Sequence, residues 1–302
     1  MYRTFVILRH TFLEAILQPI YPLLLAFGAV ILGIFALLPF FTLGEDTIMY
    51  KSVGLDVILL MVLIVTLFAT SRTIFDEIED RTMLTLMSKP VRRWEVLVGK
   101  YLGIVASAGL AIAVLGGILI LCTWARLPGD YQLRVRSIDA RELRQVFEMR
   151  LMNTMGLLPS LVLMWLQISV LAAIGVALST RFSLVVNLPV VILLYIAGNL
   201  TRFLFPLEAG PLADRSWLAR SFAYVVSLLL PYLEMFDLRQ LTVYSSIKLA
   251  GTMYEADPRG VSLGFIWANT GVAAVYAAGY AAFALAVGMW LFQSRELGGS
   301  EG

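Results

Sequence analysis

The feature that most constrains this chain is a set of six apolar runs, each long enough to cross a lipid bilayer. A helix rises about 1.5 Å per residue, so about 20 mainly apolar residues cross the hydrocarbon layer, which is roughly 30 Å thick. A backbone in lipid must pair its own polar groups, and none of the runs alternates like a barrel strand, so we expect helices. The predicted spans are Tyr21–Leu43, Leu55–Phe75, Val98–Trp124, Pro159–Thr180, Leu184–Phe205 and Leu263–Phe292.

The composition agrees with a chain that is embedded in a membrane. Of the 302 residues, 60% are hydrophobic and only 15% are charged, and the mean hydropathy is +0.84. Soluble domains carry about 25% charged residues. We therefore predict an all-α integral membrane protein in which residues 1–302 form a single transmembrane domain. The lipid bilayer is then one of its partners, and no feature indicates a nucleic-acid partner.

Residues 1–19 precede the first span and are predicted to form an amphipathic helix that lies in the plane of the membrane. Pro19 and Pro22 would close this helix before the chain turns into the bilayer. Arg9 falls inside the apolar arc, from which its long side chain can reach the headgroups. On a helical wheel one arc holds Arg3, Thr4, His10, Thr11, Glu14 and Gln18, and the opposite arc holds Phe5, Leu8, Phe12 and Ile16.

A seventh apolar run, Trp217–Phe236, is harder to place. It contains Arg220 and Pro231, and two carboxylates, Glu234 and Asp237, stand at its end. A charge and a proline are costly inside lipid, so we interpret the run as an interfacial or partly re-entrant helix. A seventh span remains the alternative interpretation, and it would place the two termini on opposite sides.

The short loops indicate how the chain is oriented. With six spans both termini lie on the same side, and the distribution of Lys and Arg over the short loops favours cytoplasmic termini. The connections 125–158 and 206–262 are then external, and the protein is a multi-pass protein of the inner, cytoplasmic membrane. Asp139 and Glu142 have capping-box spacing, so we expect an external amphipathic helix after them.

The chain lacks the residues that several kinds of functional site require, namely metal sites, redox centres and ATPase sites. The chain has one histidine, His10, and one cysteine, Cys122, which leaves little material for a metal site or a redox centre. No cofactor is expected. The phosphate-binding motif GxxxxGK[ST] is absent, because Gly99-Lys100 is followed by Tyr101, so we expect no ATPase activity from this chain.

The spans carry amides and small residues rather than ionisable groups at mid-depth, which disfavours an ion-coupled carrier. The amides most often join helices to one another. The small-residue stripes indicate close packing, either within the chain or at a dimer seam or translocation wall. The amides are Gln167, Asn187, Asn199 and Asn269, and the stripes are Gly103, Ser107 and Ala111 and then Ala274, Ala278, Ala282 and Ala286.

A charged segment, residues 76–97, separates the second and third spans. Acidic residues end the second span, and the chain then becomes apolar again without enough length to cross the membrane. These properties suit a short helix outside the bilayer that docks into a groove of a soluble protein, or else a solvated loop with basic anchors. The predicted docking residues are Asp76, Glu77, Glu79, Asp80, Thr82, Met83, Leu84, Met87, Pro90 and Arg93.

The charged segment resembles the cytoplasmic loop of ABC type 2 permeases, the membrane subunits of ABC exporters. The resemblance lies in the order of the acids, Thr82, Leu84-x-Leu86-Met87, Pro90, Arg93, Trp94-Glu95 and Gly99-Lys100. Arg81 stands where that family usually has a glycine. The number of spans, the N-terminal helix and the position of this loop also agree with the family.

The resemblance implies a division of labour between subunits. This chain would form the translocation path, and a separate cytoplasmic ABC ATPase subunit would hydrolyse ATP. Residues 76–97 would be the cytoplasmic coupling loop, and a second permease chain, identical or related, would complete an exporter. A membrane scaffold that recruits a partner through its external loops is the alternative from a different functional class.

Overall fold

The computed structural model of this chain is almost entirely helical over the residues that it describes. These are residues 2–37, 46–73, 92–125, 140–200, 230–248 and 260–293. The helices are α1 (Tyr2–Leu17), α2 (Ile20–Leu37), α3 (Asp46–Thr73), α4 (Arg93–Ala125), α5 (Ala140–Met155), α6 (Leu157–Ser179), α7 (Leu184–Asn199), the short α8 (Arg239–Thr242) and α9 (Leu263–Gln293). A 3-10 turn forms at Leu233–Phe236, and β1 (Ile247–Lys248) pairs in parallel with β2 (Val261–Ser262).

Five helical stretches in the described part of the chain are long and apolar enough to cross a membrane. The fifth predicted span, Leu184–Phe205, corresponds to α7, which is apolar but has only 16 residues and is therefore about 24 Å long. The prediction extended this span to Phe205, and residues 201–205 lie outside the described ranges. The five stretches are Ile20–Leu37, Thr47–Arg72, Arg93–Ala125, Val146–Ser179 and Leu263–Gln293.

Helix α6 is the centre of the bundle and packs against α3, α4, α7 and α9. Small residues allow the backbones to approach closely, which matters in lipid because apolar side chains gain little from leaving one apolar medium for another. At Gly288 of α9, an added Cβ atom would lie 2.8 Å from the Cα atom of Ala177 in α6. At Gly175 of α6, an added Cβ atom would lie 2.7 Å from the hydroxyl oxygen of Thr70 in α3.

The two small-residue stripes have different surroundings. Gly103, Ser107 and Ala111 are buried within the chain. On α9 the buried alanines are Ala273, Ala277, Ala281 and Ala284, whereas Ala278, Ala282 and Ala286 of the predicted stripe are exposed. The stripe on α4 therefore serves packing inside this chain, and the stripe on α9 faces away from the bundle.

Helix α1 packs along α4 at two glycines one turn apart. An added Cβ atom on Gly103 would lie 2.8 Å from the carbonyl oxygen of Leu8 and 2.8 Å from the Cβ atom of Thr11. Thr11 is therefore buried, and the prediction that it belongs to an exposed polar arc is wrong. Only a small side chain fits where the two backbones meet, while the apolar Phe5 is 61% exposed. The location of α1 in the membrane plane stays a prediction.

The packed helices give the bundle two ends. The α1 end holds α1, the first residues of α4 and the last residues of α9. The loop end holds the first residues of α3, helix α5, the β1–β2 pair and the segment 230–248. Helix α5 begins close to the position that the capping-box spacing predicted.

Segment 230–248, which we call the cap, folds back onto the loop end. Leu233 and Phe236 of its 3-10 turn are buried in the same core as α6. The predicted helix Trp217–Phe236 does not continue to Phe236, because residues 230–232 are not helical and Pro231 cannot donate a hydrogen bond. Residues 217–229 lie outside the described ranges.

The α1–α4 contact generates a stability prediction. We expect Gly103→Ala to lower the free energy of unfolding by about 1–3 kcal/mol, because the new methyl group meets the backbone of α1. The measurement is thermal unfolding of the chain purified in a neutral detergent. Gly117→Ala, in the same helix with open space around it, is the control and should unfold at or above the parent temperature. Equal unfolding temperatures for the two variants would contradict the described packing.

Candidate functional site

Most of the predicted docking residues lie outside the residues that the structure describes. Arg93 is the exception, and it is the first residue of α4. The rest of the predicted set stays a prediction. Its members are Asp76, Glu77, Glu79, Asp80, Thr82, Met83, Leu84, Met87 and Pro90, all within residues 74–91.

Arg93 joins the start of α4 to the end of α9. One guanidinium nitrogen, Nη1, donates hydrogen bonds to the carbonyl oxygens of Phe292 at 2.7 Å and Gln293 at 3.3 Å. The guanidinium carbon also lies 5.2 Å from the centre of the Phe292 ring. The last carbonyls of a helix have no partner within it and carry a partial negative charge, so a cation there is stabilising.

A second arginine reaches the same helix end. Arg181, in the short connection between α6 and α7, donates from Nε to the carbonyl oxygen of Leu291 at 3.3 Å. At the start of α4, the Glu95 carboxylate accepts a hydrogen bond from the backbone N–H of Arg92 at 3.0 Å, which is one half of a capping box. Helix α4 therefore begins at Arg93, five residues before the predicted span, and it starts in contact with α9.

The loop end contains a polar cavity of about 280 Å³, which we call the loop-end cavity. Helices α3, α6 and α7 form its sides, and the cap closes over it. Among the described residues, no three His, Cys, Asp or Glu side chains are grouped so as to hold a metal ion. The cavity is lined by Leu55, Asp56, Leu59, Ser160, Met164, Gln167, Tyr195, Asn199, Phe236, Asp237, Leu238 and Arg239.

An ion pair joins the cap to α3 at this cavity. Arg239 Nη2 lies 2.6 Å from Asp56 Oδ1, and Arg239 Nε lies 3.4 Å from Asp237 Oδ1. Burial alone would lower the pKa of Arg239, but the hydrogen bond to Asp56 and the charges of Asp56 and Asp237 together raise it. Arg239 therefore stays charged and holds both carboxylates.

Further hydrogen bonds fasten the cap to α3, α6 and α9, and one more joins α3 to α5. Lys51 of α3 has only 3% of its surface exposed, and its ammonium group donates to cap and α5 oxygens. These contacts make the cap part of the folded bundle instead of a loose external loop. They are Lys51 Nζ to Asn153 Oδ1 (3.1 Å) and to the Val243 carbonyl (3.5 Å), Tyr244 OH to Ser52 Oγ (3.3 Å), Ser160 Oγ to Thr242 Oγ1 (2.7 Å), and the Tyr232 N–H to Tyr276 OH (2.8 Å).

No sequence pattern predicted this second site. Asp56 falls one residue inside the predicted second span, and a carboxylate at that position is the one sequence signal that pointed to a polar site there. Gln167 and Asn199 were interpreted only as helix-joining amides. Arg239 lies in a long connection where acids and bases alternate, so nothing in the sequence distinguishes it from a solvated charge.

Comparison with known families gives one match. The model of a family described as ABC-2 family transporter protein matches residues 33–297. The match covers all the described helices except α1 and the first part of α2, and it confirms that the chain resembles ABC type 2 permeases. A comparison with curated proteins gave no match.

The Arg93 contact generates a prediction about the end of α9. We expect Arg93→Ala to speed amide hydrogen exchange at residues 289–293 about tenfold, because two carbonyl oxygens lose a charged donor. Hydrogen exchange followed by mass spectrometry measures the effect. Arg92→Ala is the control, because only the backbone of Arg92 takes part in the capping contact. Unchanged exchange in Arg93→Ala would show that the arginine does not hold this helix end.

Proposed function

The chain belongs to the ABC-2 transporter family, and we propose that a separate cytoplasmic ATPase drives it by docking on residues 76–97. Family membership makes the chain a multi-pass membrane protein and the permease subunit of an ABC transporter, in which the ATPase is a different subunit. The proposal adds the coupling route, the direction of transport and the arrangement of the partners.

The observation that carries the coupling proposal is the position of Arg93. Residues 76–97 run directly into α4, and the first residue of α4 is hydrogen-bonded to the last turn of α9. A displacement of the docking segment therefore acts on α4 and α9 together. Rigid elements in contact move as a unit, which is how a local docking event becomes a rearrangement of spans.

Helix α4 has the length to carry such a displacement across the bilayer. Its 33 residues extend about 50 Å, from the α1 end to the loop end. Helix α1 packs on its first turns at Gly99 and Gly103, so α1 follows α4. Gly116, farther along α4, contacts Leu161 of the central helix α6, so α4 also packs against the core of the bundle.

We also propose that two such chains, identical or related, enclose the transport path and that transport is export. The exposed face of α9 supports a second chain, because Ala278, Ala282 and Ala286 lie on it and added Cβ atoms at Gly271 and Gly279 would meet no neighbouring atoms. Small residues of this kind allow helices of different chains to approach closely in lipid. The termini and residues 76–97 face the cytoplasm in this proposal, with the protein in the inner membrane.

The first test of this function is Leu84→Arg. An arginine at the apolar tip of the docking helix would place an unpaired charge in the contact with the ATPase, which typically costs several kcal/mol. We expect the variant to insert into the membrane like the parent but to lose co-purification with the ATPase, or to leave ATP hydrolysis uncoupled from transport. Co-purification and ATP-dependent transport in reconstituted vesicles measure these two outcomes.

Glu142→Arg provides the control, since it also introduces an arginine, in this case into α5 at the loop end. This variant should associate and transport like the parent. If Leu84→Arg also keeps full association and full transport, residues 76–97 are a solvated loop and the proposed coupling route is wrong.

The second test concerns orientation. Cys122 is the only cysteine, so Cys122→Ser provides a background for single-cysteine variants. We expect a membrane-impermeant thiol reagent to label Arg134→Cys in intact cells and to label Gly302→Cys only after lysis. Labelling of Gly302→Cys in intact cells would place the C-terminus outside and would contradict the proposed topology.

A further inference from the structure

The loop-end cavity lies within one chain, at the end of the bundle opposite the proposed docking segment. Its most informative residue is Gln167 of α6, which lines the cavity with only 7% of its surface exposed. The carboxamide of Gln167 forms no hydrogen bond with any residue that the structure describes. Because the residue lines the cavity and its amide makes no bond to these residues, the amide is available to a molecule that enters the cavity.

The charged residues around the cavity indicate whether a bound ligand would be a cation or an anion. Two carboxylates, Asp56 and Asp237, and one guanidinium, Arg239, line the wall, which leaves one net negative charge. Arg239 binds one oxygen, Oδ1, of each carboxylate. The second oxygen of each carboxylate has no partner among the described residues and can accept a hydrogen bond. The guanidinium of Arg239, in contrast, is already paired with the carboxylates. An anion would have to displace a 2.6 Å ion pair, whereas a cation would not.

The size and the opening of the cavity limit the ligand further. A volume of about 280 Å³ is at the lower end of the range for small-molecule sites, which is roughly 300–1,000 Å³. Leu55, Met164 and Phe236 supply apolar wall. Asp56 is 57% exposed and Asp237 is 52% exposed on their side chains, so the opening passes between groups in contact with water. The ligand therefore arrives from the aqueous phase.

We propose that the loop-end cavity binds a small organic cation, namely a primary ammonium group on a short apolar chain. The ammonium group has three donors, and the acceptors are the Gln167 carbonyl oxygen and the carboxylate oxygens that Arg239 leaves free. The alkyl chain lies against the apolar wall. This site stands on the geometry of the cavity alone and does not depend on the proposed coupling to an ATPase.

The test compares two probes of similar size and opposite charge, n-butylammonium and n-butyrate. Isothermal titration calorimetry on the full chain in a neutral detergent should show binding of n-butylammonium and none of n-butyrate. Gln167→Leu should weaken n-butylammonium binding about tenfold or more, because a charge-assisted hydrogen bond is lost. Asp237→Asn should weaken it as well, because the net negative charge is removed while the Asp56–Arg239 pair remains.

Asn269→Leu is the matched control for the amide-to-leucine change. Asn269 bonds only to its own helix at the Phe265 carbonyl and does not line the cavity, so this variant should bind like the parent. Thermal unfolding of each variant without probe verifies that it is folded. The proposal is overturned if the parent binds n-butyrate as well as n-butylammonium, if it binds neither, or if folded Gln167→Leu retains the parent affinity.

Discussion

Close approach between helix backbones is the interaction on which the rest of this structure depends. In lipid, an apolar side chain is solvated almost as well by acyl chains as by another helix, so association relies on dense packing. Gly175 and Ala177 of α6 meet α3 and α9 with no space for larger side chains, and Gly103 of α4 does the same for α1. These contacts fix the distances between helices, and the polar groups at the two ends can then reach their partners.

The two ends use charge in different ways. At the α1 end, arginines bind main-chain carbonyls at the end of a helix, where the partial charge of the backbone replaces an acidic side chain. At the loop end, Arg239 binds carboxylates from two elements and the ammonium group of Lys51 is held by neutral oxygens. These charged contacts therefore lie at the two ends of the bundle.

The sequence predicted the elements that depend on local composition. Long apolar runs have one stable form in lipid, so the helices and the all-α class followed directly, and the order of residues in the charged segment led to the family. Contacts between distant residues were not predictable in this way. Arg239 and Asp56 are 183 positions apart, as their residue numbers show, and no periodicity connects them. Thr11 was misplaced because a helical wheel treats a threonine as polar, whereas its small size decided which side faces α4.

The acceptors of Arg93 have a consequence for which substitutions this chain can accept. Both hydrogen bonds end on main-chain oxygens, which every residue possesses, so position 293 can change its side chain without losing the contact. Position 93 has less freedom, because its side chain must supply the donor itself and shorter residues lack its reach. The constraint on this pair is therefore one-sided: a substitution at position 293 requires no compensating change at position 93, so a search for paired substitutions would miss their contact.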